Sequence, residues 1–445
     1  MGRRSHSQNL SLWANGERVG RWTISARGDM ELQYEESWVR SPQGRPLSLS
    51  LPFNPHNEAL KSDAIGHYFD NLLPDSTAIR KRVAARFKTG SVEAFDLLRA
   101  IGRDCVGAIQ LLDESESPTN LAQINAVPVD EASIERHLLS MVTPNQFGAA
   151  LEPDDDFRIS LAGAQEKDAY LWWDGAWHKP RGTTPTTHIF KLPMGLVGGR
   201  NADFSTSVDN EWLCLKLLKA YGLQVANATI ASFGSQRVLV VERFDRRVAN
   251  GRILRLPQED FCQATGTSPL VKYENEGGPG LQKLFALLRQ SQAAEADMRT
   301  LMTSQILFWL LRAPDGHAKN FSIRLHAGGA FQLTPMYDVM SAYPIIGNGA
   351  NLWSSREVKL AMALLGKSRH YTMASIQRRH FNSTALKVGL GTDAEDIIQE
   401  LLRRTPEAIA EVQRELPKGF SQRVADSVLG GLERAAVRLE GMPTG

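Results

Sequence analysis

A chain of 445 residues with 51 basic and 49 acidic side chains carries a formal charge of only +2, so any nucleic-acid contact has to come from a local patch rather than from the whole surface. That length exceeds one small core and predicts two or three packed units of soluble, globular composition. Cys105, Cys214 and Cys262 stand far apart with no CxxC pair, which argues against a disulfide framework or zinc ribbon and fits a reducing cytoplasm.

The opening MGRRSHSQ has two arginines but no apolar segment behind them, so neither a secretion leader nor a lipid anchor is expected. Next, LSLWANGERVGRWTIS alternates on both sides of Asn15-Gly16, a pair suited to the positive φ angles of a type I′ hairpin. DMELQYEESWV and PLSLSLP continue the period of two, with Leu47, Leu49 and Leu51 on one face. HYFDNLLPDSTAIRKRVAARFK and VEAFDLLRAIG change to a helical period, and VGAIQLLDE closes the unit as a strand. Residues 1–113 thus form a β-rich unit with helices attached, and the polar DESESPTN opens a linker-and-helix segment over 114–156.

A second unit is expected over 157–245. RISLAGAQEKDAYLWWDGAWHK reads as strand, glycine turn, strand, Asp174-Gly175 turn, strand, and THIFKLP adds another strand. NEWLCLKLLKAYGL is an amphipathic helix, and RVLVVERFDR an edge strand whose end turns polar. From 246 to 445 the pattern is mostly helical: QEDFCQATG, LQKLFALLR, MRTLMTSQILFWLLR, and EDIIQELLRR through SVLGGLERAAVRL. FSIRLHAGGAFQLTP is the one β interruption, and ENEGGPG reads as a mobile loop. The longest apolar stretch, Ile306 to Leu311, is far short of the about 20 residues of a membrane span. A small sheet with a glycine loop, a strand bearing a lysine, one helix, a further strand and a helical lobe is the layout of a two-lobed, α+β, protein-kinase-like phosphotransferase.

The chemistry gathers around APDGHAKNFS. Asp315 and Asn320 are five positions apart, the spacing of D-x-x-x-x-N in the kinase catalytic loop, and Asp338 in TPMYDVMSA follows a hairpin that can bring it back as a second metal ligand. Taken alone, the spacing equally describes a turn capped by Asx residues. In SLAGAQEK, Gly163 between Ala162 and Ala164 permits a tight turn whose N–H groups can face phosphate, though a plain hairpin has the same pattern. Lys191 lies among apolar neighbours in HIFKLP and needs either water or an anion, with Glu211 as one partner. Glu242 and Phe244 end VERFDR where a chain crossing between lobes can meet adenine. His317 has no second histidine at zinc-ligand spacing. Lys367, Arg369, Arg378 and Arg379 form a basic cluster, read as a solvated face or a phosphate-backbone contact.

Together these segments resemble the HipA family, the serine/threonine-protein kinase toxins of bacterial toxin–antitoxin modules. PLSLSLP, YFDNLLPDS, FDLLRAIGRDCVGAIQL, SLAGAQEK, HIFKLP, NEWLCL, VVERFDR, LPQEDFCQ, DGHAKNFS and YDVMSA occur in the family's order along nearly the whole chain. The resemblance implies a kinase-like C-terminal region behind a HipA-type N-terminal domain. It implies ATP and Mg²⁺ as cofactors, Asp315 as catalytic base and Asn320 and Asp338 as metal ligands. Lys191 then reaches the ATP phosphates, with Ala162, Gly163, Ala164, Gln165 and Lys167 in the phosphate loop, and Glu242, Phe244 and His317 beside the nucleotide. Ser160 matches the serine that these kinases autophosphorylate to switch themselves off.

Partners implied in the same way are a HipB-like helix-turn-helix antitoxin, operator DNA bound through that complex, and an aminoacyl-tRNA synthetase, notably glutamyl-tRNA synthetase, whose phosphorylation halts translation and favours persistence. A decayed kinase serving as a co-repressor scaffold, and a small-molecule kinase, are the alternatives. One departure stands in LLRAP, where Arg312 and Pro314 replace residues that are more often small or polar in the family.

Overall fold

The computed structural model describes residues 6–119, 123–142, 160–163, 165–198, 201–349 and 351–444. Strands β1 (Gln8–Ala14) and β2 (Glu17–Ile24) join through Asn15 at φ 49° and Gly16 at φ 92°, the two positive angles expected from the sequence. With β3 (Met30–Tyr34) and β4 (Ile109–Asp113) they form an antiparallel sheet in the order β3-β2-β1-β4. Four helices accompany it: α1 (Glu36–Val39), α2 (Asp63–Asp70), α3 (Thr77–Phe87) and α4 (Ala94–Ile101). Ser62 and Ser76 cap α2 and α3, each accepting a backbone N–H of the first turn. Trp22 from β2 stacks on Phe69 of α2 at 3.9 Å and meets Phe95 of α4 edge-on at 4.8 Å, tying sheet to helices.

PLSLSLP is not a strand. Its alternation serves a different contact: Ser48 and Ser50 donate their hydroxyls to the Gln263 carbonyl at 3.1 and 2.7 Å, and Leu49 N donates to Glu259 at 2.9 Å. The segment is a strap from the N-terminal unit onto the second half of the chain, and its flanking prolines have no N–H for a ladder.

The second sheet has six strands in the order β11-β12-β8-β6-β7-β5. They are β5 (Ala126–Pro128), β6 (Lys167–Trp173), β7 (Ala176–Pro180), β8 (His188–Lys191), β11 (Ala228–Phe233) and β12 (Gln236–Glu242). A short hairpin, β9 (Leu196–Val197) and β10 (Ala202–Asp203), leads into helix α6 (Ser207–Ala220). Helix α5 (Glu131–Val142) lays Ile134 and Leu138 on Tyr170, Phe190, Val238 and Val240. Thus β5 and α5, from the segment read as linker, belong to this sheet's layer.

Two expectations change here. RVLVVERFDR is an internal strand, because ATIASF, unrecognised in the sequence, supplies the edge strand β11. Ser160–Ala162 is not a strand either: Gly163 makes only an isolated bridge to Pro74. Residues 143–159 and Ala164 lie outside the described residues.

The remainder is helical around one large core. Hairpin β13 (Arg246–Ala249) and β14 (Arg252–Arg255) leads to β15 (Gln258–Asp260) and α7 (Phe261–Ala264), so QEDFCQATG begins as a strand before Asp260 caps the short helix. Then come α8 (Leu281–Leu288), α9 (Ala294–Leu310), β16 (Ser322–Leu325) and β17 (Phe331–Leu333). β18 (Lys359–Leu365) and β19 (Arg369–Thr372) form a second hairpin that the sequence reading lacked. Helices α10 (Arg378–Lys387), α11 (Glu395–Glu415) and α12 (Gln422–Glu440) complete the lobe. From Leu301 to Leu310 every residue of α9 is buried, Thr303, Ser304 and Gln305 included, so this half of the helix has no solvent-facing stripe. Among the described residues no helix is long and apolar enough to cross a membrane, and the three cysteines are buried thiols.

Candidate active site

Helix α9 delivers Asp315. It ends in a Schellman motif, with Ala313 N donating to the Phe308 carbonyl (2.8 Å) and Arg312 N to that of Trp309 (3.2 Å), while Arg312 sits at φ 52°. Pro314 follows, where helix cannot continue. The departure seen in LLRAP is therefore the helix stop itself, built from an arginine where glycine is usual. The next five residues close on themselves: His317 N donates to the Asp315 carbonyl at 2.9 Å, and Asn320 Nδ2 donates to the same carbonyl at 2.7 Å. Asp315 thus keeps its carboxylate directed outward, with 43% of its side chain exposed.

Hairpin β16–β17 returns the chain to Asp338, which adopts φ 58°, a left-handed conformation that Asp tolerates better than most residues. Helix α6 holds the segment in place, because Asn210 exchanges two hydrogen bonds with Ser341 at 2.7 and 2.8 Å. The next residue of the same helix is Glu211. Lys191, at the end of β8, donates to Glu211 Oε1 at 2.7 Å and to Asp338 Oδ1 at 2.8 Å, joining sheet, helix and returning strand.

Burial opposes the charge on Lys191, but Asp338 and Glu211 outweigh it and hold the ammonium above its ordinary range. Burial also works against Asp338, yet Lys191 and Lys167 bring it down to about 2. Glu211 has 2% of its side chain exposed, and burial pushes it up to about 6 with Lys191 only partly offsetting. A charge-bearing lysine is therefore positioned over an ionised aspartate.

Asp338 and Asn320 fit a divalent cation by donor type, an Asp carboxylate and an Asn amide oxygen, since Mg²⁺ uses few protein ligands and retains waters. Asn320 Nδ2 is engaged on the Asp315 carbonyl, which leaves its amide oxygen for such a role. Among the described residues no group of three or more His, Cys, Asp or Glu stands at metal-binding spacing, so a cage made wholly of protein is not present there.

Gly163 has φ 106°, and a Cβ there would lie 2.6 Å from Lys167 Nζ, so its missing side chain makes room for that ammonium. Gln165 donates to the Leu192 carbonyl at 2.5 Å. Ala162 is half-buried, and Ala164 lies outside the described residues. Ser160 is fully buried, its hydroxyl donating to the Leu72 carbonyl at 2.7 Å. Phe244 lies 5.7 Å from the ring of Tyr337, which precedes Asp338, whereas Glu242 is exposed and takes a 3.0 Å bond from Asn227. Buried His317 lies 3.7 Å from Asp315, and burial lowers its pKa.

Four participants were not singled out from the sequence. Tyr273 O–H donates to Asp315 Oδ1. Asp75, from the N-terminal unit, receives Lys272 at 2.8 Å and Lys319 at 2.6 Å, and these lysines hold it at about 2 against burial. Lys319 had a signal, its place between His317 and Asn320, and Asp75 had one, its place in YFDNLLPDS; Lys272 and Tyr273 had none. ENEGGPG, expected to be mobile, is instead anchored by buried Glu274, which accepts the Ala363 N–H at 2.6 Å.

The basic cluster divides. Lys367, Arg369 and Arg379 are exposed, Arg369 lying 3.3 Å from Glu274. Arg378 is a correction: it is buried, bound to Glu395 at 2.5 Å and to the carbonyls closing α12, so it cannot reach a phosphate backbone.

A sheet-borne lysine paired to a helix glutamate, above a loop that carries an aspartate and an asparagine, is the plan of a protein-kinase-like enzyme, and this fold and site are of that class. The chain belongs to the HipA family: residues 10–112 match the HipA N-terminal domain and residues 159–409 the HipA-like C-terminal domain. Y4mE of Sinorhizobium fredii, provisionally named a kinase, is 33% identical over 95% of this chain and 97% of its own. Serine/threonine-protein kinase toxin HipA of Shewanella oneidensis is 29% identical, covering 90% of this chain and 88% of that protein. The solved complex of Shewanella oneidensis MR-1 HipA with HipB and operator DNA contains a chain that superposes with a TM-score of 0.77 at 26% identity, covering 97% of both.

Proposed function

We propose that this HipA-family serine/threonine kinase uses ATP and Mg²⁺ and acts as the toxin of a HipA/HipB-type pair in the cytoplasm, inactivating an aminoacyl-tRNA synthetase, with glutamyl-tRNA synthetase as the candidate target. The observation that carries this is the bridge from Lys191 to Glu211 and Asp338, beside an Asp315 whose backbone is held by Asn320. Asp315 orients the acceptor hydroxyl and takes its proton, and Lys191 meets the ATP phosphates. Bound Mg²⁺, held by Asn320 and Asp338, supplies charge neutralisation at the phosphates. Residues 1–113 act as the N-terminal domain, 157–245 together with β5 and α5 as the small lobe, and 246–445 as the large lobe.

Ala162, Gly163, Ala164, Gln165 and Lys167 form the phosphate loop on this reading, with Glu242, Phe244 and His317 at the nucleotide base. A HipB-like antitoxin and operator DNA are the partners, supported by the HipA–HipB–DNA complex to which the chain is similar. Lys367, Arg369 and Arg379 remain the candidates for a DNA contact. Incubation with γ-labelled ATP, Mg²⁺ and purified glutamyl-tRNA synthetase tests the reading: label on the synthetase and on the chain itself supports it. Absence of both, with no ADP formed, favours a co-repressor scaffold.

Autophosphorylation at Ser160 has a structural consequence. A phosphate of charge about −2 cannot replace a fully buried hydroxyl donating to a carbonyl, so the modified loop has to leave its seat. Ser160→Asp is therefore expected to weaken ATP binding at least roughly tenfold, by opposing the phosphates and opening the loop. Nucleotide titration and limited proteolysis near residues 160–168 report the two effects. Unchanged affinity together with an intact cleavage pattern counts against the switch.

Lys167 gives a pH dependence. Burial, then the neighbouring Lys191, brings its ammonium down to about 8. The charge that attracts phosphate is thus present at pH 7 and lost as pH rises through 8. ATP affinity should fall roughly tenfold by pH 9.5, about one pK unit of coupling, and Lys167→Gln should flatten the curve.

A further inference from the structure

Asp315 stands at the edge of a cavity of about 660 Å³ that the phosphate-handling side chains do not line. Met194, Val197 and Phe204 wall it from the segment between β8 and α6, and Trp353, Leu360 and Tyr371 from the segment running through β18 to β19. Phe204 and Trp353 meet edge-on with ring centroids 5.9 Å apart. Lys191, Lys167, Asn320 and Asp338 are absent from the walls, and Lys272 at the rim is already bound to Asp75. Such a hollow is a poor place for a triphosphate and a good one for a large apolar group.

Tyr273 shows what reaches the catalytic carboxylate from this side. It lines the same cavity, and its hydroxyl hydrogen-bonds to Asp315 Oδ1. A hydroxyl brought in beside an apolar side chain lodged in the hollow can take the place of that phenol.

We propose that this cavity is the acceptor-specificity pocket, and that it takes a large aliphatic or aromatic side chain flanking the serine or threonine of a protein segment. This rests on the kinase reading above. In the step it serves, the acceptor oxygen bonds to the γ-phosphorus, the bond from that phosphorus to the β–γ bridging oxygen breaks, the hydroxyl proton passes to Asp315, and ADP leaves. Tyr273 yields its hydrogen bond as the acceptor arrives. Asn275, Ser341, Glu357 and Lys359 also line the cavity, but Met194, Val197, Phe204, Trp353 and Leu360 form the larger part of its wall, which favours an apolar side chain over a sugar-like metabolite.

A positional-scanning peptide library centred on serine, threonine or tyrosine, run beside a set of polyols and phosphorylated by the full chain with Mg²⁺ and labelled ATP, tests the pocket. At one position next to the acceptor, Leu, Met, Phe or Trp should carry at least about tenfold more label than Gly or Asp. Ala361→Phe, which narrows the cavity, should move the preference to small residues, and Phe204→Ala, which widens it, should favour the largest; melting curves confirm that each variant folds. Label without any positional preference, a preference for charged neighbours, label confined to tyrosine-centred peptides, or phosphorylation of polyols but not peptides would each overturn the pocket. No label and no ADP with any acceptor would instead defeat the kinase reading beneath it.

Discussion

Asp315→Asn is expected to lower phosphate transfer by about three orders of magnitude while leaving the melting transition of the protein in place. The two consequences separate because the residue does two jobs with different atoms. Its carbonyl accepts from Asn320 and His317 and so shapes the loop, and the substitution leaves this atom untouched. Its partly exposed carboxylate accepts from Tyr273 and has His317 at 3.7 Å; an amide oxygen still accepts from Tyr273 but is too weak a base for a serine proton. Labelled-phosphate transfer and thermal melting, measured on the same preparation, check both halves. Undiminished transfer would remove Asp315 from the role of base.

The second large effect lies away from the reaction. Asp104, from the N-terminal unit, is buried among Arg243, Arg246 and Arg255, whose side chains are 1–2% exposed. Its Oδ1 accepts from Arg246 (2.9 Å) and Arg255 (3.1 Å), and its Oδ2 from the Thr186 hydroxyl (2.7 Å) and backbone N–H (3.0 Å). Asp245 is the other carboxylate of this group, bound to Arg243 and Arg246. Three guanidiniums therefore face two carboxylates, and Asp104→Asn leaves three against one.

Removing a charge from a buried network of this kind costs about 3–5 kcal/mol. Asp104→Asn should lower the urea midpoint accordingly, and an unchanged midpoint would mean that water relieves the arginines. Burial raises the Asp104 pKa, but Arg246, Arg243 and Arg255 overcome it and hold the carboxyl well below the ordinary range. Its contribution is complete above about pH 4 and declines as acid protonates it, so parent and variant should converge toward low pH.

Features that repeat within a few residues were legible in the chain. The Asn15-Gly16 and Asp174-Gly175 turns, helices α11 and α12, and the loop from Asp315 to Asn320 follow from local periodicity and turn chemistry, whereas α6, expected to be amphipathic, is buried on nearly every side, as is the second half of α9. Where local signals were misread, a distant partner had decided the outcome. Leu47–Leu51 alternates like a strand, yet its serines and backbone bind Gln263 and Glu259 more than two hundred residues on. Arg378 reads as surface charge until Glu395 and the end of α12 enclose it.

By itself the sequence determined the Asn15-Gly16 and Asp174-Gly175 turns, most of the helices, and which side chains are available for chemistry, because these depend on neighbours along the backbone; strands such as β11 and the hairpin β18–β19 needed their tertiary partners. Tertiary structure alone decided that Lys191 meets Asp338 as well as Glu211, that Asp75 reaches across to Lys272 and Lys319, and that Tyr273 rests on Asp315. Each of these joins groups far apart in the chain and brought together by core packing, and no local pattern of residues encodes which buried charge will find which partner.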